Sequence, residues 1–360
     1  MGYRYFNLIL IFTIFWIGNL AGSTKTSTVT SSLPRRHLIT GVTQHKQLNG
    51  LGCGPASIEI IFDYWGADID QKAIADVART SSIGTYTWDI VRAGHFSYLS
   101  DAKGRFFPHD APTNGFPERS LGYASFAFSS NTFWWQSLKE LIASDIPVIL
   151  LMKYSPDDPT GHYRVIVGYD EDEGIVYFID PWDRDLGKVT NPDGTVTWTM
   201  ADFENAWNYK GYGTHYPFWG AVIMPWMVSL STTGKIATGS SIKVTAVITY
   251  PCPKPFDPTN YPASNTVVMI SLPEGMTLLD GSSRVEVGVL SAGRSVTVSW
   301  RVKIDKYIPG LSINVTAMGL VSGSVPEANW RGNGVSYDAY EYTDIIGGVC
   351  ISLVLRRQGN

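Results

Sequence analysis

The sequence has little charge and few cysteines. Charged residues make up only 17% of its 360 residues, the net charge is −4, and no run of lysine or arginine occurs. Nucleic-acid-binding proteins usually carry such a basic patch, so the composition argues against this class. The three cysteines and six histidines form no cluster with zinc-ligand spacing, and we expect neither a structural metal nor a cofactor.

The apolar run at the N-terminus is short for a membrane span. Residues 8–17 form an apolar core behind Arg4, and small residues follow at 21–23. This pattern is typical of a secretory signal, so we interpret residues 1–23 as a signal peptide and residues 24–37 as a linker or pro-segment. We therefore expect a secreted or cell-surface protein, with a retained, tilted anchor as the alternative.

An odd number of cysteines in an exported chain leaves one thiol free. Cys252 and Cys350 both lie in the C-terminal region, and we predict a disulfide between them. Cys53 is then the free thiol. The alternative is that all three cysteines are reduced.

Cys53 lies in a glycine-rich stretch that leads into a predicted helix. Its neighbours at 52 and 54 are glycines, Pro55 suits a first helical turn, and apolar residues at helical spacing follow as far as Trp65. Unpaired N–H groups at a helix N-terminus favour a thiolate and lower the pKa of the thiol. Cys53 is therefore a candidate nucleophile, and the alternative is a small buried apolar residue.

Two downstream segments predict a β-hairpin that supplies partners for this thiol. Residues 161–170 and 174–180 read as strands joined by an acidic turn, so His162 begins one strand and Asp180 ends its neighbour. An antiparallel hairpin places both side chains at the same edge of a sheet. An imidazole oriented by a carboxylate and facing a thiolate is the arrangement of a nucleophilic enzyme. At a strand end, we expect the Asp180 carboxylate to be partly solvated.

These motifs resemble those of the C39-like cysteine peptidases, which belong to the papain-like clan. The resemblance rests on Gly52–Ser57, on residues 161–170 and on residues 179–182, in that order, and it extends over residues 38–226. It implies Cys53 as nucleophile, His162 as base and Asp180 as the group that orients the base.

The same resemblance implies a glutamine that stabilises the oxyanion. Gln44 follows an apolar segment as in the family and is the preferred donor, whereas Gln47 has the spacing to the cysteine that papain shows. The remaining histidines, including His45, are expected to be surface or packing residues.

The expected fold class is α+β. We predict further helices at 71–78, 85–93, 133–144 and 200–209, and strands at 147–152 and 218–224, which would join the hairpin in one antiparallel sheet. The nucleophile helix packed on this sheet gives a papain-like architecture. Residues 228–355 contain short alternating runs separated by turns, which predicts an immunoglobulin-like β-sandwich domain.

The resulting function is a secreted cysteine peptidase that acts on a peptide or protein substrate. Two alternatives remain: a non-catalytic cell-surface binding or adhesion protein with a peptidase-like fold, and a papain-like acyltransferase. The C-terminal domain is a candidate for cell-surface attachment. Substrate specificity and oligomeric state are left open by the sequence.

Overall fold

The computed structural model describes residues 33–356, except for 82–83, 96–122, 183–188, 191–194, 327, 330–335, 338–339 and 348–350. Predictions that concern residues 1–32 therefore lie outside the described residues, and so does Cys350 itself, whereas Cys252 is described. Among the described residues, no helix has the length and hydropathy that crossing a membrane requires.

Five helices lie in the first part of the described chain. They are α1 (Cys53–Trp65), α2 (Gln71–Val77), α3 (Thr87–His95), α4 (Trp135–Ile142) and α5 (Met200–Trp207). Each agrees with the sequence prediction to within two residues at either end. Their caps explain two of the starts, because Asp70 accepts the N–H groups of Lys72 and Ala73, and Thr199 accepts that of Asp202. Gly66 adopts the left-handed conformation that ends α1.

The first eight strands form one antiparallel sheet. They are β1 (Arg36–Leu38), β2 (Tyr123–Phe128), β3 (Val148–Ser155), β4 (Asp158–Asp170), β5 (Ile175–Ile179), β6 (Val189–Thr190), β7 (Val196–Thr199) and β8 (Trp219–Pro225). Their order is β2-β8-β3-β4-β5-β7-β6, and β1 pairs with β4. The predicted hairpin is β4 and β5, with Val165 opposite Ile179. Strand β1 begins inside the segment interpreted as a linker, and β2 was not predicted.

The strands after Trp226 form separate sheets. They are β9 (Met227–Thr233), β10 (Ser241–Thr249), β11 (Ala263–Ser271), β12 (Met276–Asp280), β13 (Arg284–Leu290), β14 (Ser295–Ile304), β15 (Ser312–Val325), β16 (Ala328–Asn329), β17 (Ser336–Tyr337), β18 (Tyr340–Gly347) and β19 (Ile351–Val354). One sheet has the order β12-β14-β10-β9. A second has the order β13-β11-β15-β18, with β19 also paired to β15. Strand β10 alternates buried and exposed residues, as a sheet with one face on a core requires.

The apolar side chains of both parts form one continuous buried cluster. Phe126 of β2 lies 6.0 Å from Tyr250 and 6.5 Å from Phe256, measured between ring centroids, and Trp226 stacks on Tyr250 at 4.9 Å. The loop after β10 therefore packs on the outer strand of the first sheet. The domain boundary near residue 226 coincides with the change of sheet and stays a prediction.

Candidate active site

Cys53 is the first residue of α1, and its thiol is buried. A tight turn leads into it, in which the Gly52 N–H donates to the Asn49 carbonyl at 3.3 Å and the Leu51 N–H donates to the Asn49 side chain at 2.9 Å. Gly54 is required by close packing, since a Cβ there would lie 2.8 Å from Thr85 Oγ1. The turn thus delivers the thiol to the positive end of a helix of 13 residues.

His162 and Asp180 meet where β5 ends, as the hairpin predicted, but His162 does not begin its strand, because β4 starts at Asp158. The His162 Nε2 lies 2.8 Å from Asp180 Oδ1, which also accepts the Trp182 N–H at 2.8 Å. The Cys53 thiol lies within the electrostatic influence of His162, which lowers the pKa of the thiol. Because Nε2 faces the carboxylate, Nδ1 is the ring nitrogen left for the sulfur. The three side chains therefore interact electrostatically as one group.

Arg164 is a fourth member of this group that sequence reasoning missed. The pairing of Val165 with Ile179 brings Arg164 beside Asp180, and side-chain alternation puts His162 on the same face of β4. Arg164 Nε donates to Asp180 Oδ2 at 2.6 Å, and its other nitrogens donate to the Lys153 and Tyr154 carbonyls at 3.1 and 2.7 Å. Both oxygens of Asp180 are thus held.

The Asp180 carboxylate is buried, which corrects the expectation of a partly solvated group. Only 3% of Asp180 is exposed, against 5% of His162 and none of Arg164. The cause is the Arg164 guanidinium, which is fully buried and supplies the compensating charge that a buried carboxylate needs. The guanidinium in turn lies 4.7 Å from the ring centroid of Trp198.

The electrostatics of the group favour a thiolate and an imidazolium. Burial alone would raise the pKa of Cys53, but the hydrogen bond and charge of His162 and the Tyr163 N–H outweigh it and lower this pKa. Burial alone would lower the pKa of His162, but Asp180 opposes it and the pKa is raised. The pKa of Asp180 is lowered because Arg164 and His162 overcome the effect of burial. Each shift has the sign that an activated thiol requires.

The two candidate glutamines occupy different positions. Gln44 Nε2 donates to the Asp180 carbonyl at 2.6 Å and so holds the backbone of the residue that contacts His162. Gln47 Nε2 donates to the Asn49 carbonyl at 2.6 Å. The Gln47 Cβ lies 3.4 Å from the place of a Cβ on Gly52, the residue before Cys53. Gln47 therefore lies against the turn that carries the nucleophile.

Two aromatic rings lie against β4 next to His162. Gly161 directly precedes His162 and lies against Tyr209 and Tyr212, because a Cβ there would overlap the Tyr212 ring and lie 2.7 Å from Tyr209 Oη. The Tyr212 carbonyl accepts both the N–H and the hydroxyl of Thr87 at 3.0 Å, at the first residue of α3. The segment after α5 and the start of α3 thus lie together beside the strand that carries His162.

Comparison with known proteins identifies the part of the chain that holds this site. Residues 39–215 match the model of the Peptidase_C39 like family. This part of the chain therefore resembles that family, as the motifs around Cys53, His162 and Asp180 predicted. The predicted C39-like domain with a papain-like fold, followed by an all-β region, is therefore confirmed. No curated protein matches the chain.

Solved structures similar to the chain share little sequence with it. One is the peptidase domain of Streptococcus ComA, a bifunctional ABC transporter involved in a quorum-sensing pathway, with 14% identity, a TM-score of 0.33, and coverage of 51% of this chain and 99% of that one. A double-glycine-motif protease from an AMS/PCAT transporter, in complex with the leader peptide, has 13% identity, a TM-score of 0.32, and coverage of 53% and 98%. Xylellain, a cysteine protease from Xylella fastidiosa, has 13% identity, a TM-score of 0.38, and coverage of 58% and 95%.

Outside the C39-like domain, Cys252 is a free thiol, so the predicted disulfide with Cys350 is wrong. The thiol donates to the Phe256 carbonyl at 3.7 Å, and its Cβ lies 3.8 Å from the place of a Cβ on Gly293. Burial raises the pKa of Cys252 to about 11. The Cys252 thiol is thus hydrogen-bonded within its own loop, and its pKa is raised, whereas that of Cys53 is lowered.

Within the C39-like domain, the sequence signal for Arg164 was present but unused. A lone arginine inside an apolar strand beside a candidate base is costly unless it is paired with an acid. His45, expected to be a surface or packing residue, has its Nε2 2.5 Å from Asp63 Oδ2 and its Nδ1 3.6 Å from Glu59 Oε1. Among the described residues, no group of three His, Cys, Asp or Glu side chains could hold a metal ion.

Proposed function

We propose that the chain is a cysteine peptidase that hydrolyses peptide bonds with Cys53, His162 and Asp180. The observation that carries this proposal is the position of His162, whose Nε2 lies 2.8 Å from Asp180 Oδ1 and whose charge lowers the pKa of the Cys53 thiol at the start of α1. The family match over residues 39–215 supports the same class of enzyme.

In the first half of the reaction, the Cys53 thiolate attacks the substrate carbonyl carbon, and the carbon–oxygen π electrons move to the oxygen. As the tetrahedral intermediate collapses, the C–N bond breaks and His162 gives its proton to the leaving amine. A thioester to Cys53 remains. A water molecule, deprotonated by His162, then attacks this thioester and releases the carboxylate product and the Cys53 thiolate.

The reactive ion pair has a defined pH window. Cys53 is a thiolate above its pKa, which is lowered, and His162 is an imidazolium below its pKa, which is raised. The two shifts therefore move both conditions toward a common pH range, whereas an ordinary thiol ionises only above the pH at which an ordinary imidazole has lost its proton. Activity should fall toward acid as the thiolate is protonated and toward alkali as the imidazolium loses its proton.

The oxyanion donor is Gln47, together with the backbone N–H of Cys53. Gln47 lies against Gly52, whereas the Gln44 amide is engaged with the Asp180 carbonyl. One N–H of the Gln47 amide donates to Asn49, which leaves its second N–H for the developing charge. Gln44 then acts on Asp180 and not on the substrate.

A peptide or protein is the proposed substrate, and the proposed site of action is outside the cell. The apolar core at residues 8–17 supports export, and the β-rich region after Trp226 is the proposed attachment or docking module. N-terminal sequencing of the protein recovered from the host's culture medium tests export. A start near residue 24 agrees with a cleaved signal, and a protein confined to the cytoplasm contradicts the proposal.

The catalytic proposal is tested with the full chain and its Cys53→Ala variant. Turnover of fluorescently labelled casein and of benzyloxycarbonyl-alanine p-nitrophenyl ester should be lost in Cys53→Ala, because the proposed thioester forms on the Cys53 sulfur. Cys252→Ala is the matched control and should keep full turnover. Equal turnover by Cys53→Ala and the unmodified chain would reject the mechanism.

A further inference from the structure

Gln71 makes an unusual set of hydrogen bonds around Gln47. It is the first residue of α2 and is only 5% exposed. Its Oε1 accepts the Leu48 N–H at 2.9 Å, and its Nε2 donates to the Lys46 carbonyl at 3.1 Å. A side-chain amide can do both because it carries a donor and an acceptor. Gln71 thus hydrogen-bonds the backbone of both residues that flank Gln47.

The same amide ties this backbone to the helix that carries the nucleophile. Gln71 Nε2 also donates to Glu59 Oε2 on α1 at 2.6 Å. Four residues further along α1, Asp63 holds His45 at 2.5 Å. Positions four apart lie on one face of a helix, so α1 anchors the segment at two neighbouring points.

Residues 46–48 also contact the chain next to the triad. The Gln47 N–H donates to the Pro181 carbonyl at 2.8 Å, directly after Asp180. The place of a Cβ on Gly52 is 3.4 Å from Gln47 Cβ and 3.4 Å from Gln71 Oε1. The Gln47 Oε1 is buried and finds no hydrogen-bond partner among the described residues. Its amide is therefore oriented by one donated bond, and its place depends on the backbone that Gln71 holds.

We propose that Gln71 is a positioning residue for oxyanion stabilisation: it fixes residues 46–48 on α1 so that the Gln47 amide stands beside the Cys53 N–H. Gln71 itself touches neither the sulfur nor the substrate. This inference rests on the proposed function, because it requires a reaction that forms an oxyanion. A one-ångström displacement of such a donor is enough to slow catalysis strongly.

Two reactions of Cys53 separate this role from a merely structural one. Turnover of the benzyloxycarbonyl-alanine ester passes through a tetrahedral oxyanion. Alkylation by iodoacetamide is a displacement at carbon that needs the thiolate but no oxyanion donor. A defect in positioning should therefore slow the first reaction and spare the second, whereas general disorder of the site should slow both.

The experiment compares the full chain with Gln71→Met, which keeps the length of the side chain and removes its hydrogen bonds. We expect kcat for the ester to fall by about 10- to 100-fold, with KM and the Cys53 alkylation rate changed by less than about twofold. Gln136→Met is the matched control, since Gln136 is an exposed glutamine in the first turn of α4. It should change nothing.

A double-mutant cycle with Gln47→Ala completes the test. If Gln71 acts through Gln47, the double variant should be no slower than Gln47→Ala alone. Ester turnover within about twofold of the unmodified chain, or alkylation slowed as much as turnover, would overturn the inference. If Gln71→Met does not fold, Gln71→Glu decides by the same criteria, because it keeps the acceptor for Leu48. Failure of the proposed function is distinct: the unmodified chain would then turn over the ester no faster than Cys53→Ala.

Discussion

Among the described residues, the fully buried ion pairs lie in the C39-like domain, whereas the ion pairs of the β-rich region are exposed. In the C39-like domain, Asp180 is buried against Arg164, and Asp89 is buried between Arg79 and Arg92. In the β-rich region the ion pairs are at the surface, and both partners of the Arg301–Asp280 pair are more than half exposed. Buried ion pairs are weak contributors to stability when compared with apolar packing. Their concentration in one region indicates that they serve the chemistry or the specificity of that region.

The largest expected effect comes from removing the buried acid at the site. Asp180→Ala should lower turnover by about 10⁴-fold, because His162 loses the group that holds its ring and stabilises its charge. It should also destabilise the fold by about 3–5 kcal/mol, since Arg164 is left as an unpaired buried charge. Ester kinetics on the folded fraction and thermal unfolding measure the two effects.

A double variant separates activity from stability. Asp180→Ala combined with Arg164→Met removes both charges, so it should recover stability and remain inactive. Asp172→Ala is the surface control, in the turn at the far end of the same hairpin, and should keep full turnover. Equal losses in Asp172→Ala and Asp180→Ala would mean that another acid orients His162.

The second-largest effect is expected for Asp89, whose removal should change the stability of the fold and not the catalytic reaction. Asp89 accepts two hydrogen bonds from Arg79, at 2.7 and 2.8 Å, and a third from Arg92 at 3.3 Å. Asp89→Ala should lower the free energy of unfolding by about 3–5 kcal/mol, because it removes a buried carboxylate from two guanidinium groups. Chemical denaturation measures the loss. An unchanged midpoint would mean that buried charge in this domain carries no energetic consequence.

The third prediction compares one thiol from each region. The pKa of Cys53 is lowered by His162 despite burial, whereas that of Cys252 is raised to about 11 by burial. Near neutral pH, iodoacetamide should therefore label Cys53 and leave Cys252 unmodified, and labelling of Cys252 should begin only in strong alkali. Peptide mapping by mass spectrometry at several pH values provides the measurement. Preferential labelling of Cys252 at neutral pH would reverse the comparison.

The smallest effect is expected at the surface of the β-rich region. Arg301 and Asp280 lie 3.0 Å apart, but water competes for both groups. Asp280→Ala should leave the thermal midpoint and ester turnover unchanged within error. A loss as large as that of Asp89→Ala would show that exposed pairs matter as much as buried ones, and the contrast between the regions would then disappear.

The sequence predicted those parts of the site that depend on local patterns. The glycine–cysteine–proline stretch predicted a helix that begins at Cys53, and the two apolar runs predicted the hairpin that joins His162 to Asp180. Arg164 was missed because its partner depends on strand register, which the runs alone do not specify. Gln71 was missed because its contacts join segments 23 residues apart, and no periodicity marks them.

The wrong predictions have physical causes of the same kind. The disulfide was inferred from the number of cysteines, and a number carries no information about distance or local packing. The solvation of Asp180 was inferred from its place at a strand end. A guanidinium on the neighbouring strand changed that environment completely.

The aromatic rings that lie against Gly161 limit which residues can occur together at this site in related proteins. Any side chain at position 161 would displace Tyr212, and the Tyr212 carbonyl holds the start of α3 through Thr87. A single change at 161 would therefore be transmitted from the strand to the helix. Relatives with a larger residue there should carry smaller residues at the positions of Tyr209 and Tyr212. Through this coupling, the three positions should evolve as a set.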